Sequence, residues 1–360
     1  MDGRSLTSGR GRGRGITTYL RLLLGEMAHR FPSDEYAVLV PGRDRLANRE
    51  RLLAPNLRLW RTRRGSRALF GAAGLLGHPE LDRLLGGCDV VWIPTVAPVA
   101  VSRATPVVLT VHDLSFEHHP ADYPLYERAW HRVARPQRFA ARSARLIAVS
   151  EATRRDAIAG FGLDPEDVVT VLSGPGRPVA APGPAPGALP SAPFVLAVGA
   201  LEPRKRPDLL LDAHQLATAR GLSAGLVFAG DGPLRDELAA AGAIVLGHLP
   251  DAQLEAAYAG ALVLACPSRE EGFGFTPLEA LARGVPAVVA DLAPLRETLG
   301  EGALRVVPGN AEALADALLH LERDRAGRER LVAAGREALG RLSWERAARG
   351  TRAVLAEAAS

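Results

Sequence analysis

Lysine is almost absent from this chain. One lysine, Lys205, stands among 44 lysines and arginines. Cysteine occurs twice, at Cys88 and Cys266, in or beside predicted buried segments of different halves, which argues against a disulfide framework or a cysteine-built zinc site and fits a reducing cytoplasm. Aromatic residues make up 5% of the chain, and no basic stripe is interleaved with them, so a nucleic-acid surface is not expected. No apolar run reaches the roughly 18 to 20 residues of a membrane span, and no signal-peptide pattern opens the chain.

What is present suits ordinary α/β folding. With 360 residues and 47% hydrophobic side chains, the chain can build two domains. Predicted strands cover Tyr36–Val40, Asp89–Ile93, Pro106–Val111, Arg145–Val149, Val168–Leu172, Phe194–Val198, Gly225–Ala229, Ala243–Leu246, Leu262–Ala265, Ala287–Ala290 and Leu304–Val307. Helical periodicity intervenes at Thr17–Arg30, Glu127–Arg142, Glu151–Gly160, Pro207–Arg220, Leu234–Ala241, Asp251–Ala259 and Ala311–Leu339, the last broken near Gly327. Such alternation predicts parallel sheets covered on both faces. A proline-, glycine- and alanine-rich stretch from Gly174 to Pro190 has no periodicity and marks a hinge. The expected divisions are 1–176, a linker over 177–191, a second domain over 192–341, and a closing helix over 342–360.

Net charge is +4, unevenly spread: residues 1–180 hold 26 arginines against 18 carboxylates, whereas 181–360 hold 17 arginines and Lys205 against 22. Arginines at 10, 12, 14, 61, 63, 64, 132, 135, 138, 142 and 145 recur near apolar segments. A peripheral contact with an anionic membrane is one reading of this half, and solvated helix faces are the other.

The chemistry concentrates in Glu271-Gly272-Phe273-Gly274-Phe275-Thr276-Pro277-Leu278-Glu279, where two carboxylates frame a glycine-rich turn that enters a helix soon after an apolar strand. A helix start presents backbone N–H groups and partial positive charge to a diphosphate, and carboxylates accept hydroxyl protons. A capping box made of Thr276, Pro277 and Glu279 would account for Glu279 but not for Glu271. Lys205 follows the strand Phe194–Val198 beside Arg204, a site where an ammonium can meet a phosphate; the bland alternative is a solvated charge at a helix start. His112 and Asp113 stand directly at the end of the apolar strand Val107–Val111, where a histidine is either a ligand group or a hydrogen-bonded structural residue. Ser150 reads as a helix cap, with Arg154 one turn on, and Trp344 as a packing anchor at the start of the last helix.

The nine-residue segment resembles the E-x7-E motif of retaining glycosyltransferases of family 4. Leu278-Glu279-Ala280, Gly284-Val285-Pro286-Ala287-Val288, Val198-Gly199-Ala200-Leu201-Glu202-Pro203-Arg204-Lys205 and Ser343-Trp344-Glu345 are similar to further parts of that family, over nearly the whole chain. The resemblance implies a GT-B fold: two doubly wound Rossmann-like domains facing across a cleft, with the C-terminal helix crossing back to the N-terminal domain. It also implies that Glu279 holds the donor ribose, Glu271 the transferred sugar, and Arg204 with Lys205 the diphosphate. His112 would contact the transferred sugar near the reaction centre, Gly272, Phe273, Gly274 and Phe275 would form the donor loop, and base contacts would come from the loop around His248.

The family's Gly-Ile-Gly-x-Tyr pattern is matched at Gly15, Ile16 and Tyr19, with Thr17 replacing a glycine, which places Gly15 in a loop over the donor or acceptor. Upstream of that loop the family usually has a strand, whereas here Met1 is followed at once by Asp2-Gly3. The first strand is therefore expected to be missing and the natural start to lie several codons upstream.

The implied reaction transfers a hexosyl group, with retention, from a nucleoside diphosphate sugar to a hydroxyl acceptor. The Glu-Pro-Arg-Lys variant is similar to that of mannosyltransferases of polysaccharide assembly, which points to GDP-mannose, although Arg206 and Thr276 depart from that subset. No Asp-x-Asp triplet occurs, so no metal and no cofactor beyond the sugar nucleotide are expected. A GT-B-fold epimerase or phosphorylase, a nicotinamide dehydrogenase, and a non-catalytic sugar-nucleotide sensor are the rivals. The dehydrogenase lacks its G-x-G-x-x-G after a strand, and turnover separates the sensor from an enzyme.

Overall fold

The computed structural model describes residues 1–6, 14–40, 54–62 and 66–360. The Gly-Arg repeat between Ser8 and Gly13 lies outside these residues, as do Arg63 and Arg64. The chain divides into two compact units, Met1–Gly174 with Ser343–Ser360, and Pro175–Leu342. Among the described residues no helix is long and apolar enough to cross a membrane.

In the second unit, β7 (Phe194–Val198), β8 (Gly225–Ala229), β9 (Ile244–Val245), β10 (Ala261–Cys266), β11 (Ala287–Ala290) and β12 (Ala303–Val306) form one parallel sheet, numbered here in the order of all strands in the chain. The spatial order is β9-β8-β7-β10-β11-β12. The chain thus builds outward from β7 in one direction, then returns to lay β10 on its other side. This is the doubly wound order with a switch point between β7 and β10, where the loops at the carboxyl ends diverge and leave a crevice. Val195, Val263 and Val288 are fully buried, as strands covered on both faces require.

The first unit repeats this pattern with an interruption. β1 (Tyr36–Val40) pairs with β2 (Leu57–Arg61), and β3 (Val91–Ile93), β4 (Val107–Val111), β5 (Arg145–Ala148) and β6 (Val168–Thr170) form a separate parallel ladder. Met1–Gly3 lies between the two pieces: the Leu39 amide donates to the Met1 carbonyl, the Gly3 amide to Leu39, and the Asp2 amide to Trp92 of β3. The central position expected to be empty is therefore taken at one end by these three residues. The final helix, Trp344–Ala359, packs on helix Arg14–Arg30 and on β4 and β5 of this same unit.

Three local readings need correction. Helix Glu127–Arg142 is two helices, Leu125–Ala134 and Pro136–Ala140, because Pro136 has no N–H to continue the ladder and Arg135 turns left-handed at φ 49°. The long C-terminal helix breaks at Asp324, not near Gly327; the Asp324 carboxylate caps the second helix by accepting from the Gly327 amide at 2.8 Å. Strand β2 and helix Ser66–Leu76 carry no clear period and were not expected.

Candidate functional site

The switch point of the second unit holds the densest charge. After β7 the chain makes a short turn at Pro203–Lys205, and Arg206 takes a left-handed conformation before helix Pro207–Ala219. After β10 the chain runs Pro267-Ser268-Arg269, and the Arg269 amide donates to the Arg204 carbonyl at 2.9 Å, tying the two loops together. Across that tie the Lys205 ammonium donates to Glu271 Oε1 at 2.5 Å, and the Ser268 hydroxyl to the same oxygen at 2.8 Å. Burial alone would raise the Glu271 carboxyl, but the charges of Lys205 and Arg204 and the Ser268 hydrogen bond outweigh it, so Glu271 sits below the usual carboxylate range. Cys266 lies 3.6 Å from the same carboxylate, and burial with that neighbouring charge pushes its thiol up to about 12, so it stays a thiol. Gly199, Lys205, Cys266, Ser268, Glu271 and Thr276 line one open recess.

Helix Phe275–Ala282 begins two residues earlier than a capping box on Thr276 would require. Gly274 is its N-cap at φ 87°, no side chain caps it, and a Cβ on Gly274 would meet Leu295 Cδ2 at 2.4 Å. The capping account of Glu279 is thereby corrected: its side chain is buried and turns toward Arg177. Oε1 accepts from the Arg177 amide at 3.0 Å and Nε at 2.9 Å, and Oε2 accepts from Arg177 Nη2 at 2.5 Å and the Tyr258 hydroxyl at 3.4 Å. Burial works against the Arg177 charge, yet the hydrogen bonds and charge of Glu279 win and its pKa is raised. Burial and the Glu279 charge likewise push Tyr258 well up, which keeps its hydroxyl a donor. Beside them, Arg283 pairs with Glu255, bonds the Glu279 carbonyl and lies 5.0 Å over the Tyr258 ring.

Phe273 is buried, its ring 5.1 Å from that of Phe275, and its carbonyl accepts from the Thr298 hydroxyl. Gly272 is buried with them. Arg204 donates to Glu202 at 3.2 Å. His248 is exposed in the loop after β9, and its neighbour Gly247 turns left-handed. Lys205, Glu271 and Thr276 therefore share one recess, with Glu279 one helix turn further on.

In the first unit His112 directly follows β4. Its Nε2–H donates to the Pro94 carbonyl at 2.9 Å, and the Tyr19 ring meets it edge-on at 4.8 Å. Burial pushes its pKa down, so the ring is neutral and Nδ1 carries the lone pair. Asp113 accepts from the Ser115 amide and hydroxyl. Gly15 is exposed in the first turn of helix Arg14–Arg30, not in a loop. Ser150 caps helix Glu151–Phe161 as expected. Arg154 does not open toward a ligand: its guanidinium holds the Val168 and Pro165 carbonyls and Glu151. Trp344 fills the place where a Cβ on Gly174 would sit.

Residues 185–338 match the family model described as glycosyl transferases group 1, and residues 13–175 match that described as glycosyltransferase family 4. O-antigen chain mannosyltransferase B of Escherichia coli is 30% identical over 267 residues, covering 68% of each chain. The chain belongs to the family 4 glycosyltransferases. This glycosyltransferase is also 39% identical over 151 residues to a phosphatidyl-myo-inositol mannosyltransferase of Mycobacterium leprae, a stretch that spans 40% of either chain. Among solved structures it resembles sucrose-phosphate synthase of Thermosynechococcus elongatus, with a TM-score of 0.73 and 18% identity over 99% of this chain and 96% of the other. Anabaena HepE, solved with UDP and glucose, gives 0.67 and 18% over 97% and 98%. At that identity the likeness shows the fold, which is that of the GT-B glycosyltransferases, as expected.

Several members of the glycosyltransferase's charge network were not named from sequence. Ser268 and Cys266 follow a strand as any loop residues do, and Tyr258 reads as one more core aromatic of helix Asp251–Gly260. Arg177 sat in a segment read only as hinge. Its partner is 102 positions away, a pairing that no local pattern carries.

Proposed function

We propose that this protein is a retaining hexosyltransferase that moves a sugar, mannose first among the candidates, from a nucleoside diphosphate to a hydroxyl acceptor in glycan, polysaccharide or glycolipid assembly. The observation that carries the reading is the Lys205–Glu271 pair across the β7/β10 switch point, the place where doubly wound sheets take their ligands. The two mannosyltransferases named above support mannose, and GDP-mannose is the donor inferred. In the reaction the bond from the anomeric carbon to the diphosphate oxygen breaks and a bond to the acceptor oxygen forms on the same face. The acceptor proton passes to the departing phosphate. Negative charge grows on the diphosphate, and Lys205, Arg204 and the start of helix Phe275–Ala282 offset it, a task that elsewhere falls to a metal ion. Glu271 takes hydroxyls of the transferred sugar and Glu279 those of the ribose. His112, neutral with a lone pair on Nδ1, accepts a further sugar hydroxyl. The basic excess of the N-terminal half supports a peripheral contact with an anionic cytoplasmic membrane face, which flotation with phosphatidylglycerol vesicles would check.

The test is calorimetric titration with GDP-, UDP-, ADP- and dTDP-sugars, followed by turnover in EDTA. Binding of one nucleotide class, lost in Lys205→Ala and Glu279→Ala, and turnover that survives EDTA are the expected results. Abolition by EDTA with recovery on adding manganese overturns the metal-free mechanism, and binding without turnover favours the sensor.

A further inference from the structure

Glu279 is fully subscribed by the protein's own donors. Each of its oxygens already receives two donors, three of the four from Arg177 and the last from Tyr258 at the longest distance, 3.4 Å. A carboxylate offers about four lone-pair sites, so a ribose diol has no acceptor left unless Arg177 yields one. The arginine is built into place. Gly176 adopts φ 94°, and a Cβ there would lie 2.7 Å from Glu279 Cγ, so the backbone can press against the carboxylate only because residue 176 is glycine. A second acceptor stands ready on the far side of the guanidinium: Arg177 Nη1 lies 3.4 Å from Asp251 Oδ1, at the exposed start of helix Asp251–Gly260.

We propose that Arg177 is a latch on the ribose site, competing with a ribonucleotide for Glu279 and passing its guanidinium to Asp251 when the nucleotide binds. The proposal rests on the donor-site reading above and adds a residue that opposes binding rather than making it. The latch sets donor affinity and discriminates by hydroxyls. A ribose that supplies two donors at once replaces the bidentate contact of the guanidinium, whereas a sugar without them leaves Arg177 in place. Asp251 lowers the cost of release by giving the displaced charge a partner at the surface.

The probes are GDP and UDP, each with its 2′,3′-dideoxy counterpart, titrated into the full chain. Arg177→Met is expected to tighten binding of the accepted ribonucleotide about tenfold, on the order of one charge-assisted contact no longer broken, and to leave the dideoxy form unchanged. Asp251→Asn, at an exposed position that should not disturb folding, is expected to weaken the ribonucleotide about two- to threefold, the scale of a surface pair. A structural arginine that merely orients Glu279 gives the opposite sign: Arg177→Met then weakens GDP or UDP, and Asp251→Asn does nothing. Either result overturns the latch. If Arg177→Met does not fold, Arg177→Gln and Asp251→Asn still decide by the same signs. Wild-type protein that binds neither nucleotide overturns the donor-site reading and the latch with it. Binding that is weakened by Glu279→Gln but unmoved by both latch variants overturns the latch alone.

Discussion

Each unit carries its candidate side chains at the carboxyl ends of a parallel sheet, but the two hold them by different means. The second unit uses opposite charges: Lys205 with Glu271, Arg177 with Glu279, Arg283 with Glu255. The first keeps His112 neutral by burial, with its ring set between a backbone carbonyl and the edge of Tyr19. A buried ion pair costs much to break from one side, because the remaining charge is stranded. A neutral ring loses only its packing and one hydrogen bond. The difference suits the proposed chemistry, in which the second unit meets a diphosphate and the first a neutral sugar.

The largest effect expected from breaking this contrast is on turnover. Lys205→Ala removes the cation proposed to offset charge on the leaving group and should lower kcat/KM by about 10²-fold or more. It should also cost about 2 kcal/mol of stability, between the values for exposed and fully buried pairs, since Lys205 and Glu271 are 26% and 12% exposed. His112→Ala should reduce turnover as well but cost less stability, about 1 kcal/mol, the worth of one ring contact. Urea melts of both variants check the ordering, and a His112 variant that destabilises more than the Lys205 variant would refute the contrast.

Next comes backbone. Gly274→Ala forces a side chain into a left-handed residue with Leu295 in the way and should cost about 2–3 kcal/mol. The damage should stay in the second unit. All four tryptophans, Trp60, Trp92, Trp130 and Trp344, belong to the first unit, so intrinsic tryptophan fluorescence should keep its wild-type midpoint while the circular dichroism transition splits. A fluorescence midpoint that falls in step would show the two units melting as one.

What the sequence made legible follows the same division. Strands buried on both faces announced themselves as apolar runs, and β1, β7, β8 and β11 fall on the expected residues. β2 did not, because Leu57-Arg58-Leu59-Trp60-Arg61 is an edge strand with two arginines, no clear period and little burial. At the site, Glu271, Glu279 and Lys205 stood out through motif and rarity. The partners that hold them did not, since Ser268 and Tyr258 look ordinary and Arg177 reaches Glu279 only after the chain has folded. His112 was visible at its strand end, whereas its neutrality comes from burial that outweighs the Pro94 hydrogen bond and the Asp113 charge, and that depth of burial carries no local signal. Composition and period report burial, and long-range polar pairing leaves no period.

Acid should separate the two designs. Glu271 titrates below its ordinary value in the folded chain, so the stability of its pair is complete above about pH 4.3 and is lost as pH falls through the lower folded value. His112 is also depressed: the unfolded chain takes up a proton near pH 6.5 and the folded chain does not, so stability drains as pH falls from there toward the folded value. His131 shifts the same way through burial and adds to the slope, so the difference between wild type and His112→Gln isolates His112. That difference should shrink between pH 7 and 5.5 in fluorescence melts. Lys205→Ala should instead flatten the circular dichroism profile only below pH 4.5.

The smallest effects belong at the surface, where the final helix is fastened to the first unit. Arg352 makes a two-pronged contact with Asp34 at 2.7 and 3.0 Å, Arg145 reaches Glu357 at 2.7 Å, and Arg30 reaches Glu345 at 2.8 Å. Here charge does in the first unit what it does at the site of the second, but in water. Such pairs contribute about 0.5–1 kcal/mol at most and are screened by salt. Arg352→Ala should therefore lower stability only slightly in dilute buffer and by less in 1 M sodium chloride, where the Debye length is about 3 Å. The buried Arg283–Glu255 pair should show no such salt dependence. If 1 M salt weakened Arg283→Met and Arg352→Ala differences alike, water would reach both pairs equally, and the distinction between the interior charges of the second unit and the surface charges of the first would fail.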